Sequence, residues 1–221
     1  MRLGGQAYRW FYDQVACHYY DALIKWCFGP FGGERRIRQR LLEPVSFGTG
    51  ELILDMCCGT GSATQAIAVA AGETARVIGA DLSFGQIRQA RRKQYCAHTR
   101  FLVGDASATS FGDAQFDRAF ITHALHEMPR SARLAVLAEA RRVLKPGGEL
   151  VVLELDQPDS LLLRAFIGVW FFYWLPLNFE TPTRRDVLRR GLANEVAEAG
   201  FHPVARTRVA GGVFQTVCGG K

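Results

Sequence analysis

Residues 51–71 read Glu51-Leu-Ile-Leu-Asp-Met-Cys-Cys-Gly-Thr-Gly-Ser-Ala-Thr-Gln-Ala-Ile-Ala-Val-Ala-Ala71. Leu52, Ile53 and Leu54 form a short apolar run, the pattern of a strand buried on both faces of a parallel sheet. The strand ends at a carboxylate, Asp55. Gly59 and Gly61 follow, and a helical pattern begins at Ser62. Glycines at such a turn let the backbone come close to a ligand, and the N–H groups at the helix start behind it have no partners within the helix. Strand, glycine turn and helix in this order form the nucleotide-binding corner of a doubly wound α/β fold. The spacing narrows the choice of nucleotide. Gly59-Thr-Gly-Ser-Ala-Thr64 lacks the third glycine of the dinucleotide fingerprint, and no lysine follows as a phosphate-binding loop requires.

Working outward, the run 75–80 ends at Asp81, about 20 residues beyond the glycine turn, which is the length of a βαβ unit. An acid at that strand end accepts hydrogen bonds from ribose hydroxyls, and Leu82 stands beside it. Ser83 has the side chain of an N-cap for a helix over 83–94. A third strand, 100–103, leads to Gly104-Asp105-Ala106. A fourth, 116–122, ends at Thr122 and opens into His123-Ala-Leu-His-Glu-Met-Pro129. Helix 131–144 runs into Lys145-Pro-Gly-Gly148, read as a helix stop and turn before a fifth strand at 149–154. A single helix over 184–199, closed by Gly200, precedes a hairpin of 201–209 and 213–218 about Gly211-Gly212.

The chain has 221 residues, long enough for one substantial core, with ordinary proportions of 48% hydrophobic and 22% charged residues. A net charge of +6 permits an anionic partner without choosing between nucleic acid and a lipid surface. The first ten residues contain no apolar signal-peptide core, so a cytoplasmic location is expected. The six cysteines are scattered with no C-x-x-C pair, which suggests neither a zinc site nor a disulfide framework. Cys57 and Cys58 in the glycine turn read as small apolar residues rather than catalytic thiols.

Two stretches lie outside the α/β pattern. Residues 1–46 are rich in aromatics, among them Tyr8, Tyr12, Tyr20 and Trp26, with a break at Gly29-Pro-Phe-Gly-Gly33 between helices at 8–28 and 34–42. They form either a helical cap or a packing extension. Residues 161–179 are apolar all round but interrupted by Arg164 and Pro176, and too short for the roughly 20 residues of a membrane span. They roof an apolar pocket or join the core.

Taken together, Leu54-Asp55-x-x-x-Gly59-x-Gly61, the acids at strand ends and Leu144-Lys-Pro-Gly-Gly148 resemble the class I S-adenosylmethionine-dependent methyltransferases. That resemblance implies a Rossmann-like, mostly parallel seven-stranded sheet with an N-terminal helical cap (1–46) and a terminal antiparallel hairpin. The methyltransferase domain would span 47–221 and carry an aromatic substrate lid at 155–185. It implies S-adenosylmethionine as cofactor and S-adenosylhomocysteine as product. Asp55, Cys57, Gly59, Thr60 and Gly61 would lie along the methionine part, Asp81 and Leu82 along the ribose, and Gly104, Asp105 and Ala106 along the adenine. Thr122 and Tyr20 complete the expected cofactor contacts. Phe11-Tyr-Asp-Gln-Val-Ala16, Tyr19-Tyr-Asp21 and Cys57-Cys-Gly-Thr-Gly61 are similar to the ubiquinone/menaquinone C-methyltransferases. The chain departs from that group after strand four, where Ala124-Leu-His-Glu-Met-Pro129 replaces an Arg-Asn element, and in the aromatic block 165–179.

Methyl transfer is an in-line displacement, so positioning and exclusion of water supply most of the acceleration. A carbon or phenol acceptor also loses a proton. His126 is the first choice of base, with His123 and Glu127 as the other candidates; no metal is expected. Aromatic density and the arginines at 35, 36, 38, 40, 184, 185, 189 and 190 suit a small apolar or lipid-like acceptor met at an anionic membrane. A quinone and a phospholipid headgroup both fit. The alternatives are a nucleic-acid methyltransferase, which lacks a base-flipping motif here, and a non-catalytic cofactor-binding subunit. An oligomer is compatible with either.

Overall fold

The computed structural model describes residues 10–93, 96–174 and 181–221. A π-helical turn, Tyr12–Ala16, leads into α1 (Cys17–Phe28), and a 3-10 turn at Gly29–Phe31 separates it from α2 (Glu34–Leu42). Then come β1 (Leu52–Met56), α3 (Ser62–Ala71), β2 (Arg76–Asp81), α4 (Phe84–Arg92), β3 (Thr99–Val103), β4 (Phe116–Thr122), α5 (Arg130–Val143) and β5 (Leu144–Leu155). The chain continues with α6 (Leu161–Trp174), α7 (Thr181–Arg190), α8 (Leu192–Glu198), β6 (Val204–Val209) and β7 (Phe214–Gly220). The expected helix start at residue 8, the helix end at 94 and the 175–179 part of the aromatic block lie outside the described residues.

The strands form one seven-stranded sheet in the order β3-β2-β1-β4-β5-β7-β6. β1 to β5 are parallel, and β7 runs antiparallel between β5 and β6. The predicted doubly wound, mostly parallel sheet and its terminal antiparallel hairpin are both present. The chain steps outward from β1 to β3 and then returns to place β4 on the other side of β1. This reversal opens a crevice at the carboxyl ends of β1 and β4, where ligands of such sheets bind.

Neighbouring residues of the central strands face two separate cores. Leu54, Ile121 and Val152 pack with Val136, Leu137 and Ala140 of α5. Ile53, Phe120 and Val151 pack instead with Ile37 and Leu41 of α2 and Ile67 of α3. A sheet covered on both faces needs apolar side chains at successive positions, hence the unbroken run seen in the sequence. Each such side chain fully removed from water contributes roughly 1.5–3 kcal/mol.

Two local expectations are corrected. The single helix over 184–199 is two, because Gly191 takes a left-handed φ of +81° that an α-helix cannot continue through. Lys145-Pro-Gly-Gly148 is not a turn ahead of the strand but a bulge within it. Leu144 already pairs with Phe116, and the register resumes at Arg118–Glu149.

Candidate active site

The carboxyl ends of the parallel strands border a cleft of about 330 Å³, within the usual size of small-molecule sites. Cys57 and Gly59 of the glycine turn line it, with Asp81 at the end of β2 and Leu82 just after it. Asp105 and Ala106 come from beyond β3, and Thr122, His123 and Glu127 from the end of β4. Tyr12 and Tyr20 reach in from the N-terminal segment. Thr60 borders a smaller cavity behind the turn, together with Tyr20, Arg38, Cys58, Thr122 and His123. Asp55 is fully buried beneath the turn. The Gly104 N–H donates to the Asp81 carbonyl at 3.0 Å, which sets the start of the 104–106 loop against β2.

The glycine turn is built so that a side chain does not fit. Gly61 has φ +79°, and a Cβ there would come within 2.7 Å of the Phe101 ring. The turn is clamped by Asp81, whose Oδ2 accepts from the Gly59 N–H at 2.8 Å and Oδ1 from the Ser83 N–H at 2.9 Å. Burial raises the Asp81 pKa against the pull of these two donors. Ser83 caps α4 as expected, its Oγ accepting from the Gln86 N–H at 3.1 Å. Burial pushes the Cys57 and Cys58 thiols well up, keeping them neutral and in keeping with a packing role.

The N-terminal segment is tied across the cleft at several points. Asp13 accepts from the Ser83 hydroxyl at 2.6 Å and the Gly85 N–H at 3.2 Å. The approach is close enough that a Cβ on Gly85 would fall 2.2 Å from the Asp13 carbonyl oxygen. Asp21 accepts from the Thr60 hydroxyl and pairs with Lys93, both at 2.5 Å. Tyr12 donates to Glu127 Oε2 at 2.9 Å.

Beneath the turn, four buried polar atoms have no hydrogen-bond partner among the described residues: Asp55 Oδ1, Arg38 Nη1, Thr122 Oγ1 and His123 Nε2. Native structures leave few such atoms unsatisfied, so a cluster of them marks a place for a polar ligand. The other Asp55 oxygen accepts from the Thr64 hydroxyl at 2.6 Å. Burial raises the Asp55 pKa to about 7, against the opposing effects of Thr64 and Arg38.

The two histidines are not equivalent. His126 Nδ1 lies 2.7 Å from Glu154 Oε1, and the His126 N–H donates to Oε2 at 3.2 Å. An ionised carboxylate only accepts, so Nδ1 of His126 carries the proton. Burial raises the Glu154 pKa, but His126 and His123 beside it outweigh this and hold the carboxyl well below its usual range. His123 stands on the cleft wall with φ +49°. That left-handed backbone turns its ring into a space between Phe28 and Phe214, at centroid distances of 5.5 and 5.8 Å. Burial depresses the His123 pKa despite Glu154 3.8 Å away, so the ring is neutral at pH 7.

The far wall of the cleft is apolar, formed by Met128, Ala132 and Val136. It is fixed by Arg133, fully buried, which donates to the Met128 carbonyl at 2.8 Å and bridges Glu195 and Asp186 at 2.6 and 2.7 Å. No described side chain of α6 is on the cleft wall. α6 lies against α1, with Trp170 stacked on Trp26 at 4.6 Å. It leaves Leu161, Leu162, Phe166 and Val169 exposed. No described helix is long and apolar enough to cross a membrane.

Sequence reasoning missed Glu154, Tyr12, Asp13 and Arg38. Glu154 carried a usable signal, being an acid at the carboxyl end of a central strand like Asp55 and Asp81. Arg38 was read among the surface arginines; the structure corrects this, since it is buried at 7% exposure.

A parallel sheet reversing at β1 and β4, with acids at its strand ends and a glycine turn above the first, defines a nucleoside-binding α/β protein. A sequence profile described as "Methyltransferase domain" matches residues 53–148. An uncharacterised methyltransferase of Synechocystis is 32% identical over 191 residues, 84% of this chain and 83% of that protein. A demethylmenaquinone methyltransferase of Staphylococcus saprophyticus is 36% identical over 141 residues, covering 63% of this chain and 60% of that protein. In fold, an S-adenosylmethionine-dependent methyltransferase of Thermotoga maritima superposes with a TM-score of 0.69 at 18% identity, over 96% of this chain and 99% of that one. The chain belongs to the class I S-adenosylmethionine-dependent methyltransferases, on the side of the family close to the quinone methyltransferases. It is an enzyme, and S-adenosylmethionine is its cofactor.

Proposed function

We propose that this enzyme methylates a small apolar acceptor of the quinone type, at carbon or a phenol oxygen, and that His123 accepts the proton the acceptor loses. The observation that carries the reading is the neutral, buried His123 on the cleft wall, its Nε2 lacking a partner among the described residues. The apolar wall of Met128, Ala132 and Val136 and the demethylmenaquinone methyltransferase relatives support the acceptor class. When bound, S-adenosylmethionine supplies a sulfonium methyl group and is left as S-adenosylhomocysteine. The turn Cys57–Gly61 and Asp55 hold its methionine part, Asp81 and Leu82 its ribose, and 104–106 its adenine. The N-terminal segment, tied down by Asp13, Asp21 and Tyr12, caps the cleft and keeps water from the transfer. Glu127 steadies Tyr12 in that cap. His126, anchored on Glu154, orients the 123–127 segment; the structure thus favours His123 over His126 as the base.

His123→Gln is expected to lower turnover about 10²–10⁴-fold, the usual loss of a general base. S-adenosylhomocysteine affinity should be unchanged, and His126→Ala should cost less. In the parent enzyme the rate should rise with pH through an apparent pKa below 6.5, because only neutral His123 accepts a proton. The assay combines labelled cofactor with a lipid extract and identifies the labelled product. Turnover unchanged in His123→Gln would remove it from the mechanism. The exposed apolar face of α6 and the exposed Arg35 and Arg36 of α2 support acceptor capture at an anionic membrane surface. The same assay with vesicles in place of extract should then show a rate that falls with salt.

Asp55 adds a pH signature. Its pKa is about 7 in the fold and 3.8 as reference, so between these values the ligand-free fold binds more protons than the unfolded chain. Ligand-free stability therefore falls as pH rises through that window. An ammonium placed beside Asp55 draws the pKa back down. At pH 6.5, S-adenosylhomocysteine binding should release part of a proton, seen by calorimetry in buffers of different ionisation enthalpy. Asp55→Asn should abolish the release. A parent enzyme that releases no proton would detach Asp55 from the amino group.

A further inference from the structure

Arg38 is the feature that the proposed cofactor contacts leave unused. It belongs to α2, outside the strand-end loops, yet its side chain passes under the glycine turn into the small cavity bounded by Thr60, Cys58, Thr122 and His123. Its Nε donates to Glu34 Oε1 at 2.9 Å, and the guanidinium stacks over Phe28 at 5.6 Å. These contacts fix the group but account for only one of its donor atoms. Nη1 is buried and has no partner among the described residues. An arginine cannot shed its charge, so a buried, unsatisfied guanidinium edge calls for an anion. Thr122 Oγ1, an acceptor with no partner among the described residues, lines the same cavity. The buried Asp55 carboxylate, whose Oδ1 is orphaned too, lies close enough for the Arg38 charge to act on it. A positive donor with acceptors near it is the complement of an amino-acid zwitterion.

We propose that Arg38 binds the carboxylate of the cofactor's methionine part, opposite Asp55, and so sets how far the sulfonium extends toward His123. This rests on the cofactor placement above. It makes α2 part of the binding site, and it explains why a charged residue sits on the buried side of a helix otherwise held by Ile37, Leu41 and Leu42. A zwitterion gripped at both charges fixes rotation about the methionine chain, which positions the methyl group in line with the acceptor.

The test compares three ligands by calorimetry on the whole chain: S-adenosylhomocysteine, its decarboxylated analogue, and 5′-methylthioadenosine, which lacks the amino-acid end. Arg38→Met should weaken S-adenosylhomocysteine about 10- to 100-fold, the range of one charge-assisted pair. It should leave 5′-methylthioadenosine within twofold, and Arg38→Lys should recover part of the loss. In the parent enzyme, removing the carboxylate should cost a similar factor, and in Arg38→Met it should cost nothing further. That parent measurement needs no variant to fold, and Glu34→Gln/Arg38→Met removes both charges of the α2 pair if Arg38→Met alone does not. Equal affinity of Arg38→Met for S-adenosylhomocysteine overturns the assignment, as does equal weakening of all three ligands. A parent enzyme that binds 5′-methylthioadenosine but is indifferent to the carboxylate overturns it while leaving the nucleoside contacts standing. Failure of the parent to bind any of the three overturns the cofactor placement itself.

Discussion

Asp81→Ala is expected to weaken S-adenosylmethionine binding by about 2–3 kcal/mol, roughly 30- to 150-fold, the cost of stranding buried hydrogen-bond partners. The same carboxylate that faces the ribose in the proposed complex also accepts from Gly59 and Ser83, at 2.8 and 2.9 Å. Its loss therefore removes the ribose acceptors and at the same time releases the glycine turn from α4. Asp81→Asn keeps the shape and one acceptor oxygen, so it should fall between parent and alanine variant. Calorimetry separates the two effects, because a thermal melt without ligand reports the turn alone. Equal affinity of Asp81→Ala and parent would mean that the ribose lies elsewhere.

Arg133→Met is expected to destabilise the fold by about 3–5 kcal/mol, as breaking a buried ion pair from one side does. For a chain of this length that lowers the melting temperature by an order of 10 °C. The loss is large because Glu195, at 1% exposure, would lose the guanidinium it is paired with while remaining buried. Asp186 is partly exposed and suffers less. Arg133→Met/Glu195→Leu should recover most of the stability, since it removes both charges and fills the space with apolar atoms. A single variant within about 1 kcal/mol of the parent would show that the ion pair is solvated rather than buried. Melting curves followed by circular dichroism read all three proteins. The Met128 wall of the cleft depends on the same arginine through its 2.8 Å bond to the Met128 carbonyl. Acceptor KM should therefore rise in Arg133→Met even below the melting point.

Much of the frame was legible in the chain. Ile53, Leu54 and their counterparts in β4 and β5 announce a sheet covered on both faces, because only such a sheet buries consecutive side chains. The 116–122 strand has the bounds read from its sequence. Gly61 and Asp81 were recognisable because their roles are local. One needs a left-handed φ, and the other stands at a strand end a fixed distance from the turn. The misreadings were local as well. Gly191 looks tolerable inside a helical period until its φ is seen. Lys145–Gly148 has turn chemistry whether it joins two elements or bulges from one.

The doubly wound sheet and the nucleotide-binding corner were readable from the chain, since both follow from periodicity and short spacings that neighbouring residues enforce; the class of reaction came with the family resemblance that the motifs carry. Packing settles which histidine lines the cleft, that Glu154 holds the other, and that Arg38 is buried while Arg35 and Arg36 stay in solvent. Those are relations between residues from about 20 to more than 100 positions apart. They depend on how helix faces settle against the sheet, and a one-dimensional pattern carries no record of that rotation.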